Sequence, residues 1–110
     1  MRAFKQGDIV WLDFDPQAGH EEGKRRPAII VSGNDALDLI KSLALVCPVT
    51  SRSRPFPTHV VLDGRTKTSG MILCEQVKAL DLDARNAAFV ESAPGEIVTE
   101  AGNIIHSLLD

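Results

Sequence analysis

A small, mainly β domain with one C-terminal helix is what the sequence predicts. Three observations carry this reading. Six or seven short β-branched or apolar runs are separated by turn residues. One amphipathic segment lies at the C-terminal end. The chain has 110 residues, the length of one domain, so residues 1–110 are read as a single domain. A strongly bent sheet or partly open barrel satisfies all three.

Asp8–Phe14 (DIVWLDF) is β-branched and aromatic, bounded by Gly7 and by Asp15-Pro16, and reads as the first strand. Residues 15–25 (DPQAGHEEGKR) hold Pro16, Gly19 and Gly23 and read as a long exposed loop. Pro27–Ser32 is almost continuously apolar, as in a strand buried on both faces. Asn34 is placed to cap a short helix over Asp35–Lys41. Leu43–Val49 is a third strand, and Pro48 within it suggests an edge or a bulge. Residues 50–57 (TSRSRPFP) form a second polar, cationic loop. Thr58–Leu62, Gly70–Cys74, Val77–Leu80 and Ala87–Val90 are further short strands, and Asp81–Arg85 reads as a single helical turn.

The last helix rests on periodicity. Ile97, Val98, Ala101, Ile104, Ile105, Leu108 and Leu109 fall on one face at helical spacing. Pro94 suits its first turn, and Glu96 and Glu100 lie near the positive end of its dipole. This stripe is expected to cover the sheet.

Composition narrows the function classes. Apolar residues make up 44% and the net charge is only -3, which argues against disorder. No apolar run approaches the roughly 18 residues of a membrane-spanning helix. Residues 1–7 lack the apolar core of a signal peptide. Cys47 and Cys74 sit in apolar runs without neighbouring ligands, as buried thiols in a reducing cytoplasm would. His20, His59 and His106 are scattered, so neither a metal nor another cofactor is expected.

Charge is uneven along the chain. Residues 24–67 carry eight Lys/Arg against three Asp/Glu, whereas residues 68–110 carry two against seven. The cations read either as solvated loop residues or as one wall of a groove for a polyanion. The two polar loops offer His20, Glu21, Glu22, Lys24, Arg25 and Arg26 on one side and Thr50, Ser51, Arg52, Ser53 and Arg54 on the other. Both leave strand ends, so they can meet over one face. A guanidinium that grips phosphate, a hydroxyl that donates to it and a group that takes a proton suffice to cleave RNA without metal. In RNA the nucleophile is the adjacent 2′-OH. The alternative for Arg26 is a pairing with Glu21 or Asp13 that ties down the loop. Phe56, flanked by Pro55 and Pro57, is a candidate for stacking an unpaired base. Trp11 reads as barrel core or dimer contact.

Gly7-Asp8-Ile9-Val10-Trp11-Leu12-Asp13-Phe14-Asp15-Pro16, Gly19-His20-Glu21-Glu22 and Arg26-Pro27-Ala28 resemble the opening signature of the MazF/PemK toxins. The similarity continues through Pro48-Val49-Thr50-Ser51 and Glu75-Gln76-Val77-Lys78-Ala79-Leu80-Asp81, with Arg85 after it. It implies an SH3-like barrel of the MazF/PemK/CcdB-like kind, usually a homodimer. It also implies the toxin of a type II toxin–antitoxin pair, a metal-independent endoribonuclease. Such an enzyme cuts single-stranded mRNA at short sequences, leaves 2′,3′-cyclic phosphate and 5′-hydroxyl ends, and so inhibits translation and growth. The implied partners are single-stranded RNA and a MazE-like antitoxin whose acidic, disordered C-terminal segment occupies the RNA groove. The family's active-site Arg, Thr and loop Glu fall on Arg26, Thr50 and Glu21. His20, Lys24, Arg25, Ser51, Arg52, Arg54 and Phe56 are the expected RNA contacts. From the chemistry of the loops, Glu21 is the candidate general base, with His20 or His59 as alternatives. The alternative is a non-catalytic toxin of the same fold that acts by protein binding, as gyrase poisons do.

Overall fold

A computed structural model describes residues 3–16 and 18–110; Met1, Arg2 and Gln17 of the first loop lie outside the described residues. The elements are β1 (Asp8–Asp13), β2 (Arg25–Ile30), α1 (Asn34–Leu39), β3 (Leu43–Thr50), β4 (His59–Leu62), β5 (Gly70–Leu73), a 3₁₀ turn (Cys74–Gln76), β6 (Lys78–Asp81), β7 (Ala88–Ser92) and α2 (Gly95–Ser107). The strands form one curled antiparallel sheet in the order β4-β5-β3-β2-β1-β7, with β6 also on β3. The sheet and its terminal helix match the expected half-open barrel.

Alternation along β1, β2 and β3 builds two cores, one on each face. Ile9, Ile29, Cys47 and Val49 point to the α2 side, where they meet Ile72, Cys74, Ile97 and Ala101. Val10, Leu12, Ala28, Ile30, Ala44 and Val46 point the other way, against Phe14, Leu80 and Leu82. The helix therefore covers one face only. The other is covered by the curl of the sheet, with Phe4, Leu37 and Ala87 packed at its rim.

Two local expectations change. Pro48 is at no edge, because β3 lies inside the sheet and pairs with β2, β5 and β6. On one side β3 pairs with β6 over Leu43–Val46 and with β5 over Val49–Thr50. Pro48 falls in the gap between these partners, where its missing N–H costs no ladder bond on that side. Asn34 does not cap α1, whose cap residue is Gly33. Its Oδ1 instead accepts a bond from the Gln6 N–H at 2.8 Å. The single helical turn expected over Asp81–Arg85 is present: Arg85 N–H donates to the Asp81 carbonyl at 3.0 Å, and Asp81 Oδ1 caps it by accepting the N–H groups of Asp83 and Ala84, both at 3.0 Å.

Candidate active site

The β2–β3 register pairs Ala28 with Pro48 and Ile29 with Cys47. Run on by two residues, it brings Arg26 level with Thr50 on the same face. Both side chains line a cleft of about 600 Å³ with Trp11, Glu22, Lys24, Arg25, Ser51, Arg52, Lys67, Thr68 and Ser69. Five cations against one carboxylate make this cleft electropositive, although the chain as a whole is acidic.

Arg26 is held rigidly. Its Nε–H donates to the Gly23 carbonyl at 2.7 Å, and its Nη1 pairs with Glu22 Oε2 at 3.1 Å. The side chain is 20% exposed, so the guanidinium is oriented without being sealed off. Thr50 is 5% exposed. Its Oγ1 accepts the Arg52 N–H at 3.2 Å, which leaves the hydroxyl proton to donate elsewhere. Gly70 makes room at this point. Its φ is +117°, and a Cβ there would fall 2.5 Å from the Thr50 carbonyl oxygen.

The first loop is pinned at both ends. Phe14 N–H donates to the Lys24 carbonyl at 2.9 Å, and Lys24 N–H to Asp15 Oδ1 at 2.6 Å. Arg85 Nη1 donates to the Asp15 carbonyl. Arg25 pairs with Asp13 at 3.0 Å. Hydrogen bonds from Asn86 and then from Arg25 hold the Asp13 carboxyl below its ordinary range. A third wall of the cleft comes from Lys67, Thr68 and Ser69. Glu91 accepts from the N–H groups of Lys67 (3.0 Å) and Thr68 (2.8 Å) and from the Thr68 hydroxyl (2.7 Å). Partial burial disfavours the Glu91 anion, but these donors win and its pKa is lowered.

A family model for the PemK-like, MazF-like toxin of type II toxin–antitoxin systems matches residues 5–109. The chain belongs to this family. It is 37% identical over 81 residues to the endoribonuclease toxin MazF of Escherichia coli K12, covering 74% of this chain and 71% of that protein. It is 33% identical over 109 residues to the endoribonuclease PemK of Escherichia coli, covering 96% and 81%. Among solved structures, MazF from Deinococcus radiodurans superposes with a TM-score of 0.91 at 37% identity, covering 99% of this chain and 98% of that one. MazF in the MazE–MazF complex of the same organism superposes with a TM-score of 0.84 at 38% identity, covering 99% and 97%.

The expected catalytic and RNA-contact residues divide in the structure. Arg26 and Thr50 face the cleft, as do Lys24, Arg25, Ser51 and Arg52. Glu21 does not line it: its Oε1 accepts the Ala18 N–H at 3.0 Å and its Oε2 lies 3.4 Å from Lys78 Nζ. The carboxylate inside the cleft is the next one, Glu22. His20, Arg54 and Phe56 are also absent from the lining. Phe56 instead sits 5.6 Å from the His59 ring, centroid to centroid. His59 is bound to Glu75, with Nε2 3.1 Å from Oε2, so it is tied up outside the cleft.

Sequence reasoning missed Glu22 as a site carboxylate, the Lys67–Ser69 wall, and Trp11 as a cleft residue rather than core. Trp11 is 44% exposed. A signal existed only for Glu22, which stands four residues before Arg26. Cys47 and Cys74 are buried and free. The hydrogen bond to Cys74, together with burial, pushes the Cys47 thiol well above its usual range, as an inert core thiol requires. Among the described residues, no three His, Cys, Asp or Glu side chains gather to hold a metal ion, and no helix is long and apolar enough to cross a membrane.

Proposed function

We propose that residues 1–110 act as one toxin domain whose Arg26–Thr50 cleft cleaves single-stranded RNA without a metal ion. The observation that carries this reading is the convergence of Arg26, Thr50 and Glu22 in one electropositive cleft. The chain is an endoribonuclease toxin, and the endoribonuclease relatives favour catalysis over a purely protein-binding poison.

Glu22 takes the proton of a 2′-OH, and that oxygen attacks the adjacent phosphorus. The bond from phosphorus to the 5′ oxygen breaks, and the leaving oxygen takes a proton from water. The products are a 2′,3′-cyclic phosphate and a 5′-hydroxyl. Arg26 is always cationic and does not serve as base. It grips the phosphate through N–H groups that Gly23 and Glu22 leave free, at the moment charge on the phosphate grows. Thr50 donates its hydroxyl to a second non-bridging oxygen. Lys24, Arg25, Arg52 and Lys67 attract the flanking phosphates, and Trp11 offers an exposed ring face to an unpaired base.

The cytoplasm is the compartment this activity requires. A MazE-like antitoxin with an acidic segment is the partner, and a homodimer is the working form; MazE–MazF structures among the relatives support the antitoxin partner. The test is incubation with a single-stranded RNA and its DNA copy in EDTA, with mapping of the cut ends. RNA should be cut to cyclic-phosphate ends and DNA should survive. Strict dependence on magnesium, or equal cutting of DNA, refutes the mechanism.

A further inference from the structure

Residues 75–78 line none of the cleft, yet three of their side chains reach the two loops that frame it. Gln76 Oε1 accepts the Glu22 N–H at 2.8 Å, and its Nε2 donates to the His20 carbonyl at 3.3 Å. Lys78 Nζ lies 3.4 Å from Glu21. Glu75 takes the other loop. Its carboxylate accepts the Thr58 hydroxyl at 2.8 Å and lies 3.1 Å from His59 Nε2. The far nitrogen of that ring, Nδ1, lies 3.0 Å from the Arg54 carbonyl. Burial opposes the Glu75 charge, but the Thr58 and His59 bonds keep its carboxyl below its ordinary range.

We infer that Glu75, Gln76 and Lys78 are positioning residues that fix the spacing of the two loops and thereby select which nucleotides fit beside the scissile bond. The inference rests on the reading of the cleft as the RNA site. None of the three touches the cleft. Gln76 acts on Arg26 through one intermediary, since the residue whose N–H it holds is the one whose carboxylate pairs with the guanidinium. A displacement of about 1 Å at a reacting group can cost a hundredfold in rate, so a loop anchor outside the chemistry has leverage. A three-residue turn is well suited to the task. Its first residue, Cys74, is buried in the α2-side core, so both loops are referenced to the rigid part of the fold.

The experiment compares the full chain with Gln76→Met, Gln76→Glu and Glu75→Gln. Amide hydrogen exchange, single-turnover kinetics and the cleavage-site profile on a random-sequence RNA pool are measured for each. Gln76→Met should speed exchange at residues 18–24 and leave β3 unchanged. Its kcat should fall about tenfold, as for one lost anchoring bond, with KM shifting less than threefold. Its cleavage profile should broaden. Gln76→Glu keeps an acceptor for the Glu22 N–H and should restore most of the protection there. Glu75→Gln should loosen residues 52–58 and alter the profile more than the rate. Unchanged loop exchange in both Gln76→Met and Glu75→Gln overturns the inference. So does an unaltered kcat and profile when the loops have loosened. A wild-type protein that cuts no RNA defeats the functional reading instead, and the exchange data still decide whether the two loops are anchored here.

Discussion

Replacement of Arg26 by alanine removes two things at once, and the structure lets them be separated. A guanidinium has five N–H groups. One serves the Gly23 carbonyl and one serves Glu22, so three remain for a phosphate. Loss of a preorganised donor to a developing anion costs about 10²–10³ in rate, roughly 3–4 kcal/mol. The second loss is structural. Gly23 is buried, and its carbonyl would be left without the Nε–H donor, at a cost of about 1–3 kcal/mol. That corresponds to a fall in Tm of roughly 5 °C or more for a domain of this size. A domain with about 5–15 kcal/mol of stability remains folded at 25 °C after such a loss. Single-turnover cleavage of one short RNA at 25 °C, beside a thermal melt, reads both quantities. Arg26→Lys should recover little of either, because an ammonium keeps the charge and loses the fork. A folded Arg26→Ala protein with more than about a tenth of the wild-type rate refutes the phosphate clamp. An unchanged Tm refutes the bracing of Gly23.

Three further outcomes are expected. Glu22→Gln should lower the single-turnover rate about 10²–10⁴-fold, while Glu21→Gln should change it less than about threefold; the reverse ranking would reassign the base. Thr50→Val should lose about 10²-fold in single-turnover rate and release the Arg52 N–H, whereas Thr50→Ser should keep a substantial part of the activity through its hydroxyl. Glu91 has a folded pKa below its ordinary 4.5, so it adds stability above that value and loses it as pH falls through the folded value. Melting curves between about pH 6 and 3 should therefore fall less steeply for Glu91→Gln than for the wild type; parallel curves would contradict its role in holding residues 67–68.

What the sequence made legible follows from the range of the interactions involved. The bounded β-branched run of β1 and the amphipathic stripe of α2 are local patterns; β1 appears where expected, and the stripe packs from Ile97 to Ile105, whereas Leu108 and Leu109, expected on it, lie past the helix end and are exposed. Arg26 and Thr50 share a cleft because each stands at the end of a readable strand. Pro48 misled because its tolerance depends on a change of partner strand, which only the assembled sheet defines. Asn34 misled because its side chain serves Gln6, 28 residues away, instead of its own helix. The Lys67–Ser69 wall was invisible because Glu91 builds it from more than 20 residues along the chain. Glu21 and Glu22 are chemically identical neighbours, and only the loop's path sends one to the cleft and the other to Lys78.

The three-sided pairing of β3 bears on how long such a toxin survives in a cell. Opening this strand means parting from β2, β5 and β6 together, so it belongs to the portion of the molecule that opens only with the whole. Thr50 is the terminal residue of that strand. Small fluctuations would expose the polar loops to a protease long before they opened the strand that carries the phosphate-facing hydroxyl. Loss of the strand that carries this hydroxyl is thus a matter of global unfolding and not of loop motion.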